Sequence, residues 1–310
     1  MKLQTSVILS LASLTLLAIV SSVTGGDDFG ERFEWTPEVP GFSFIGEETF
    51  FCGGESRRVK IYSHRSTGLE FVLVPGGTFK MGSPSWDGES DEFPSHPVTV
   101  KPFLLCRTEC TQDAWDRIGG DDNRSFEGGS LPIEGVSWKA CADWCHRAGL
   151  RLPTEAEWEY SCRAGTRSKY SFGNTDEDLD PYAWHRDNSN GSPHAVGQKR
   201  PNALGLHDMH GNVWELCSDR AHENYRNAPA DGSSWESGTN TKRVKRGGSF
   251  LSHDPEYCRS ANRGQGSFDR GSNYAGFRPA LSIDSGDMKP YPAKLDVHIE
   301  RGQDVSDERR

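Results

Sequence analysis

Gly205-Leu206-His207-Asp208-Met209-His210-Gly211-Asn212-Val213-Trp214-Glu215 is the segment on which the reading of this chain turns. It holds two carboxylates, glycines at 205 and 211, an Asn and a Trp, with neither a helical nor a strand period. A run of this kind is a shaped loop, and shaped loops on a rigid scaffold carry function more often than periodic elements do. Asp208 and Glu215 bracket backbone carbonyls that a tight Gly-Asn turn can aim inward. Hard oxygen donors arranged in this way suit Ca²⁺. The same carboxylates could instead cap neighbouring N–H groups in a core-anchoring loop.

The rest of the composition agrees with a loop-based fold. The chain has 310 residues, 34% of them hydrophobic, with 34 Gly and nine Trp. That balance describes a loop-rich domain anchored by aromatic side chains rather than a helix bundle. With a formal net charge of −10, and only a small basic patch at Arg57, Arg58 and Lys60, no basic cluster rivals a nucleic-acid footprint, and no nucleic-acid partner is expected. The N-terminus reads as an export signal over residues 1–26: Lys2, an apolar stretch from Val7 to Val20, then small residues up to Gly26. The apolar stretch is shorter than a membrane span needs, so the expected product is secreted or periplasmic, without stable membrane insertion, and monomeric. Eight Cys in an exported chain point to disulfides, although Cys141 and Cys145, four apart on one helix face, are poorly placed to bridge each other.

Working outward, residues 27–68 read as a polar, irregular N-terminal extension. A strand over 69–74 ends at Pro75-Gly76-Gly77, and a second over 78–81 is expected to pair back on it as a hairpin. Short strands follow at 98–100 and 103–105. Thr111, Ser137 and Thr154 are N-cap residues for three helices, and Thr154-Glu155-Ala156-Glu157 has the spacing of a capping box. Residues 166–246 show almost no periodicity, which inside an ordered domain marks a functional or ion-stabilised region. Strands are expected again over 243–250 and 274–281, and residues 284–310 form a charged tail.

Several motifs stand in a fixed order along this frame. They are Val74-Pro75-Gly76-Gly77-Thr78-Phe79-Lys80-Met81-Gly82-Ser83, Gly135-Val136-Ser137-Trp138, and Arg151-Leu152-Pro153-Thr154-Glu155-Ala156-Glu157-Trp158-Glu159-Tyr160. The 205–215 loop comes next, then Arg246-Gly247-Gly248-Ser249-Phe250, Arg259-Ser260-Ala261 with Arg263, and Gly276-Phe277-Arg278. Together they resemble the formylglycine-generating enzyme family, the sulfatase-modifying factors, over residues 69–283. The resemblance implies one α+β domain, distantly like a C-type lectin, with short strands and three short helices. It implies oxidation of a Cys in a Cys-x-Pro-x-Arg segment of a sulfatase to formylglycine, using O₂ and copper held by two thiolates. It also implies a structural Ca²⁺ bound at Asp208, Gly211, Val213 and Glu215, with Gly and Val giving backbone oxygens.

The family's copper-binding cysteines follow the Gly-Gly-Ser strand, and here that window departs from the pattern. Ser252 stands where the first thiol belongs, and Cys258 is the one thiol nearby. A hydroxyl is a poor Cu(I) ligand, so the copper chemistry lacks its ligand pair. The resemblance further implies a disulfide from Cys162 to the segment near Arg259, for which Cys258 is the candidate partner on the same face of an extended strand. Pairing of Cys258 with Cys217, or a free thiol, is the alternative. Ser249 and Trp214 match residues lining the family's oxygen and substrate pocket, and packing would retain both equally well. Ser252-His253-Asp254 is contiguous and cannot converge as a catalytic relay, and His185, His194, His207, His210 and His253 read as packing or surface residues. Two readings stand side by side. One is an exported oxidase acting on a peptide segment of a sulfatase or another exported protein. The other is a non-catalytic, calcium-stabilised module binding a peptide or a glycan.

Overall fold

The three helices begin where their capping residues stand. A computed structural model of the chain describes residues 28–29, 36–84 and 87–283. Thr111 Oγ1 accepts from the Ala114 N–H at the start of α1 (Gln112–Ile118), and Gly119 stops it at φ 79°. Ser137 Oγ accepts from Ala140 N–H at the start of α2 (Trp138–Arg147). At α3 (Glu155–Arg163) Thr154 Oγ1 accepts from Glu157 N–H at 3.0 Å while Glu157 Oε2 accepts from Thr154 N–H at 2.9 Å. These reciprocal bonds satisfy two amide donors that a helix start otherwise leaves open.

The strands form three small sheets. One comprises β1 (Asp28–Phe29), β5 (Gly77–Met81) and β6 (His96–Val100), in the order β1-β5-β6. The five-stranded antiparallel sheet has the order β12-β7-β4-β3-β2, from β2 (Phe42–Cys52), β3 (Glu55–His64), β4 (Glu70–Val74), β7 (Phe103–Cys106) and β12 (Ala280–Ser282). The third has the order β10-β9-β8-β11: β8 (Trp214–Arg220), β9 (Arg243–Arg246), β10 (Gly264–Gly266) and β11 (Ala275–Gly276), with β11 parallel to β8. The arrangement is α+β and loop-rich, as the resemblance implies.

Three sequence expectations change. Residues 42–64 are not irregular but a long hairpin turned at Gly53 and Gly54, both at positive φ. Its outward positions carry charges that pair across the strands, Glu47 with Lys60 and Arg58, which hides the strand from a search for apolar alternation. The strands on either side of Pro75-Gly76 do not form a hairpin: β4 pairs with β3 and β7, while β5 pairs with β1 and β6. At Gly76 (φ 70°) a Cβ would stand 2.6 Å from the Val100 carbonyl oxygen, so the chain passes between two sheets through a gap only glycine fits. The late strands are shorter than expected. β9 ends at Arg246 because Gly247 and Gly248 take positive φ, and residues 277–279 separate β11 from β12.

Two large apolar clusters fill the interior, with a small third one at Tyr170, Leu179, Ala183 and Cys258. One includes Trp158, Tyr160 and Cys162 of α3 with residues of β4, β5, β6 and β9; the other includes Trp115 of α1, Trp144 of α2 and Phe277. Trp115 and Trp144 stack with centroids 5.9 Å apart, and Phe277 packs edgewise on both. Every residue of α3 is buried, its carboxylates included. Arginines from other segments neutralise them: Arg246 pairs with Glu159, and Arg263 bonds Glu155 at 2.7 Å. Among the described residues no helix is long and apolar enough to cross a membrane; residues 1–26 and 284–310 lie outside them.

Candidate functional site

The 205–215 segment is a loop as far as Val213 and enters a strand only at its last two residues. Asn202 anchors its entry, its side chain accepting from Leu204 and Leu206 N–H and donating to the Ser161 and Cys162 carbonyls of α3. Asp208 (φ 59°) and Asn212 (φ 60°) adopt the left-handed conformation that short polar side chains tolerate. Gly211 has no alternative, since a Cβ there would meet the Trp184 carbonyl oxygen at 2.4 Å. Asn212 ties the loop on several sides. Its N–H donates to Trp184 O, its side chain donates to Glu109 Oε2 at 2.8 Å, and its carbonyl accepts from Phe250 N–H at 2.7 Å. Trp214 and Glu215 then open β8, where strand alternation puts them on opposite faces.

Three buried carboxylates and one guanidinium meet beneath this loop. Glu215 lies in a fork from Arg278, whose Nε and Nη2 donate to its two oxygens at 2.6 Å each, and Trp158 Nε1 adds a third bond at 2.7 Å. Glu109 accepts from Val213 N–H at 3.0 Å as well as from Asn212. Asp208 Oδ2 accepts from Gly197 N–H at 2.7 Å, while its Oδ1 is buried without a hydrogen-bond partner. Burial pushes the Asp208 carboxyl up to about 6, with the Glu215 charge adding to the effect. Burial, then Asp208 and Glu215, push Glu109 well above the usual carboxylate range.

An excess of buried negative charge with one orphaned oxygen is a setting that fits a hard divalent cation. Of the expected set, Asp208, Gly211, Val213 and Glu215 lie in this one turn, with Asp208 offering the open oxygen. Glu215 is committed to Arg278 and Trp158, so it would share only its remaining lone pairs. Among the described residues no three His, Cys, Asp or Glu side chains are grouped to hold a metal, and two of the four expected donors are backbone carbonyls. Glu109 and the role of Arg278 were not recognised in the sequence. Glu109 lies about a hundred residues upstream in a stretch without a signal, whereas Arg278 was visible as the end of the Gly-Phe-Arg motif.

The window after the Gly-Gly turn is closed upon itself. Ser249 N–H donates to Ser252 Oγ and Ser252 N–H donates to Ser249 O, both at 2.9 Å, and both side chains are buried. Residues 255–258 form a 3₁₀ turn, so Cys258 does not lie on an extended strand with Ser260 as expected. Asp254 caps this turn and Pro255 stands at its start, which accounts for the difference. Gly248 admits it: a Cβ there would lie 2.7 Å from Cys258 Sγ.

Burial pushes the Cys258 thiol up to about 12, and Cys162 likewise to about 12. His210 joins the two segments. Its Nε2 accepts from Ser171 N–H at 3.1 Å, which places the ring proton on Nδ1, donating to Cys258 O at 2.8 Å. Cys162 Sγ lies 3.8 Å from the same ring. No sulfur–sulfur bond joins these or any other of the eight cysteines in the structure. The donors at 252 and 258 are thus one hydroxyl and one buried thiol, which do not fit the two-thiolate set that Cu(I) selects. Trp214 has other neighbours, its ring lying under Lys245 Nζ at 4.8 Å, with Tyr274 also 4.6 Å from that ammonium.

Beside this window a cavity of about 250 Å³ opens between Ser83, Asp87, Lys169, Arg259 and Ala261. Leu251 and Tyr257, large side chains left exposed, stand in the same window. Buried polar anchors, a Gly-Gly turn against a capped 3₁₀ segment and a carboxylate-rich loop on short strands define the class: an α+β, loop-rich domain of the sulfatase-modifying kind. The sequence profile described as sulfatase-modifying factor enzyme 1-like domain matches residues 59–283, and the chain belongs to that family. It is similar to the formylglycine-generating enzyme of Streptomyces coelicolor, at 31% identity over 69% of this chain and 89% of that one. Among solved structures it is similar to PvdO from Pseudomonas aeruginosa, with a TM-score of 0.65 and 29% identity over 72% of this chain and 98% of that one. Treponema denticola variable protein 1 follows with a TM-score of 0.61 and 25% identity over 76% and 98%.

Proposed function

We propose that this chain is an exported, calcium-stabilised, sulfatase-modifying-factor-like module that holds a peptide segment of a sulfatase or another exported protein without oxidising it. The carrying observation is the donor set of the window after Gly248. Oxidation through copper needs two accessible thiolates, and this window offers Ser252, engaged with the Ser249 amide, and Cys258, buried beneath the turn. Cys162, the thiol beside it, is equally buried, and the two are candidates for a mutual disulfide rather than a metal site. Peptide binding is supported by the cavity at Arg259 and, separately, by the large side chains of Leu251 and Tyr257 left exposed in the preceding window. Calcium is supported by the orphaned Asp208 Oδ1 and by the unbalanced charge of Glu109, Asp208 and Glu215 against Arg278.

The test is direct. The purified protein is incubated with copper, O₂ and a Cys-x-Pro-x-Arg peptide, and the peptide is weighed by mass spectrometry while its binding is followed by fluorescence anisotropy. Saturable binding with an unchanged peptide mass is the expected result. Conversion of the cysteine to formylglycine would overturn the non-oxidising reading, and saturable binding of a glycan in place of the peptide would redirect it.

A further inference from the structure

Four cysteines that the candidate site does not use converge in the second apolar cluster. Cys106 closes β7, Cys110 precedes α1, and Cys141 and Cys145 stand one turn apart on α2; each is at most 1% exposed. The backbone holds the two pairs together. Cys106 N–H donates to the Pro279 carbonyl, and Arg151 exchanges both backbone hydrogen bonds with Ala280, the next residue. Leu150 N–H in turn donates to the Cys145 carbonyl, so the partners of Cys106 and Cys145, Pro279 and Leu150, each adjoin the Arg151–Ala280 bridge. Cys110 N–H donates to Phe277 O, and Phe277 packs on Trp144 of α2. Burial first, and then the proximity of Cys106, Cys145 and Cys141, push the Cys110 thiol up.

We propose that this cluster is a site of oxidative cross-linking, forming disulfides Cys106–Cys145 and Cys110–Cys141 that clamp the 106–110 segment to α2. The pairing follows from placement. Cys141 and Cys145 project in parallel from one helix face and cannot bridge each other without distorting it. Cys106 and Cys145 approach the Arg151–Ala280 bridge through Pro279 and Leu150, and Cys106 is the thiol that acts on Cys145, which leaves Cys110 and Cys141 as the second pair. Each bridge forms when a disulfide donor, such as oxidised glutathione or a disulfide-carrying oxidoreductase, accepts two electrons and two protons from a pair of thiols. The donor leaves as two thiols.

The clamp has a consequence for the candidate site. Glu109 lies inside the braced segment, and its carboxylate holds Val213 N–H and the Asn212 side chain. Thiol oxidation in this core therefore steadies the loop that carries Asp208 and Asn212.

The experiment refolds the reduced, denatured full chain in a mixture of reduced and oxidised glutathione, which removes any dependence on access to a buried core. Remaining thiols are then alkylated under denaturing conditions and proteolytic peptides are mapped by mass spectrometry. The expected result is two linked pairs, 106 with 145 and 110 with 141, with four hydrogens lost from these cysteines. In Cys106→Ser the 110–141 link persists, and reductant lowers the melting temperature of the wild type more than that of this variant. Complete alkylation of all four cysteines, or links from them to other cysteines, overturns the proposal. A folded protein whose melting temperature is the same with and without reductant overturns the clamp.

Discussion

Replacing Asp208 by Asn isolates the one carboxylate oxygen beneath the 205–215 loop that no protein group satisfies. The amide keeps an oxygen for Gly197 N–H and is nearly isosteric, so the fold is retained while a charged cation ligand is lost. A cation that binds only the folded state at about one hundred times its dissociation constant stabilises it by ~2.7 kcal/mol. Weakening the site tenfold lowers this to ~1.4 kcal/mol, and weakening it a hundredfold to ~0.4 kcal/mol. For a domain of this size each kcal/mol moves the melting temperature by roughly 2–4 °C, so chelation lowers the wild type by ~5–11 °C and the variant by ~1–6 °C. Without the cation the order narrows or reverses, because the neutral amide removes a charge that burial and Glu215 already disfavour. The assay is differential scanning calorimetry of both proteins at matched free calcium and in excess chelator. Equal chelator shifts in the two proteins, or none in either, would refute the reasoning.

Other outcomes follow from neighbouring contacts. Thr154→Ala removes the α3 cap and the bond from Thr154 Oγ1 to Gly232 O, and costs about 2 kcal/mol in urea unfolding; a variant as stable as the wild type would show that the cap is dispensable. Arg246→Met leaves Glu159 buried with less charge compensation and costs roughly 3–5 kcal/mol. Adding Glu159→Gln recovers part of that loss, and strict additivity in the double-mutant cycle would refute the coupling. Asp219 is pushed up to about 7 by burial, with Glu155 adding to the effect. Because the folded carboxyl binds its proton more tightly than the unfolded one, its contribution to stability falls as pH rises from about 4 to 7, by up to ~4 kcal/mol. Asp219→Asn removes this component, so stability curves of wild type and variant that run parallel across that window would contradict it.

The helix starts were legible in the sequence because a cap is local chemistry. Thr111, Ser137 and Thr154 each reach an amide three residues on, whatever surrounds them. The β2–β3 hairpin was not legible, since its outward charges mask the alternation that marks a strand. Nor was the length of β9, which two left-handed glycines cut short. The 205–215 segment shows both cases. Gly211, Asn212 and Asp208 announce a shaped turn by their residue types, whereas its continuation into β8 depends on partners elsewhere in the chain.

What the sequence by itself determined was therefore the order of motifs, the three capped helices, the family frame and the departure at Ser252. Only the tertiary structure decided which charges meet. Glu109 reaches Val213 from about a hundred residues upstream, Arg278 reaches Glu215 from 63 residues downstream, and Cys258 is folded away under Gly248. The reason is physical. Caps and turns rest on bonds within a few residues, while the cost of burying a charge is offset by whichever opposite charge the fold delivers, however distant in sequence.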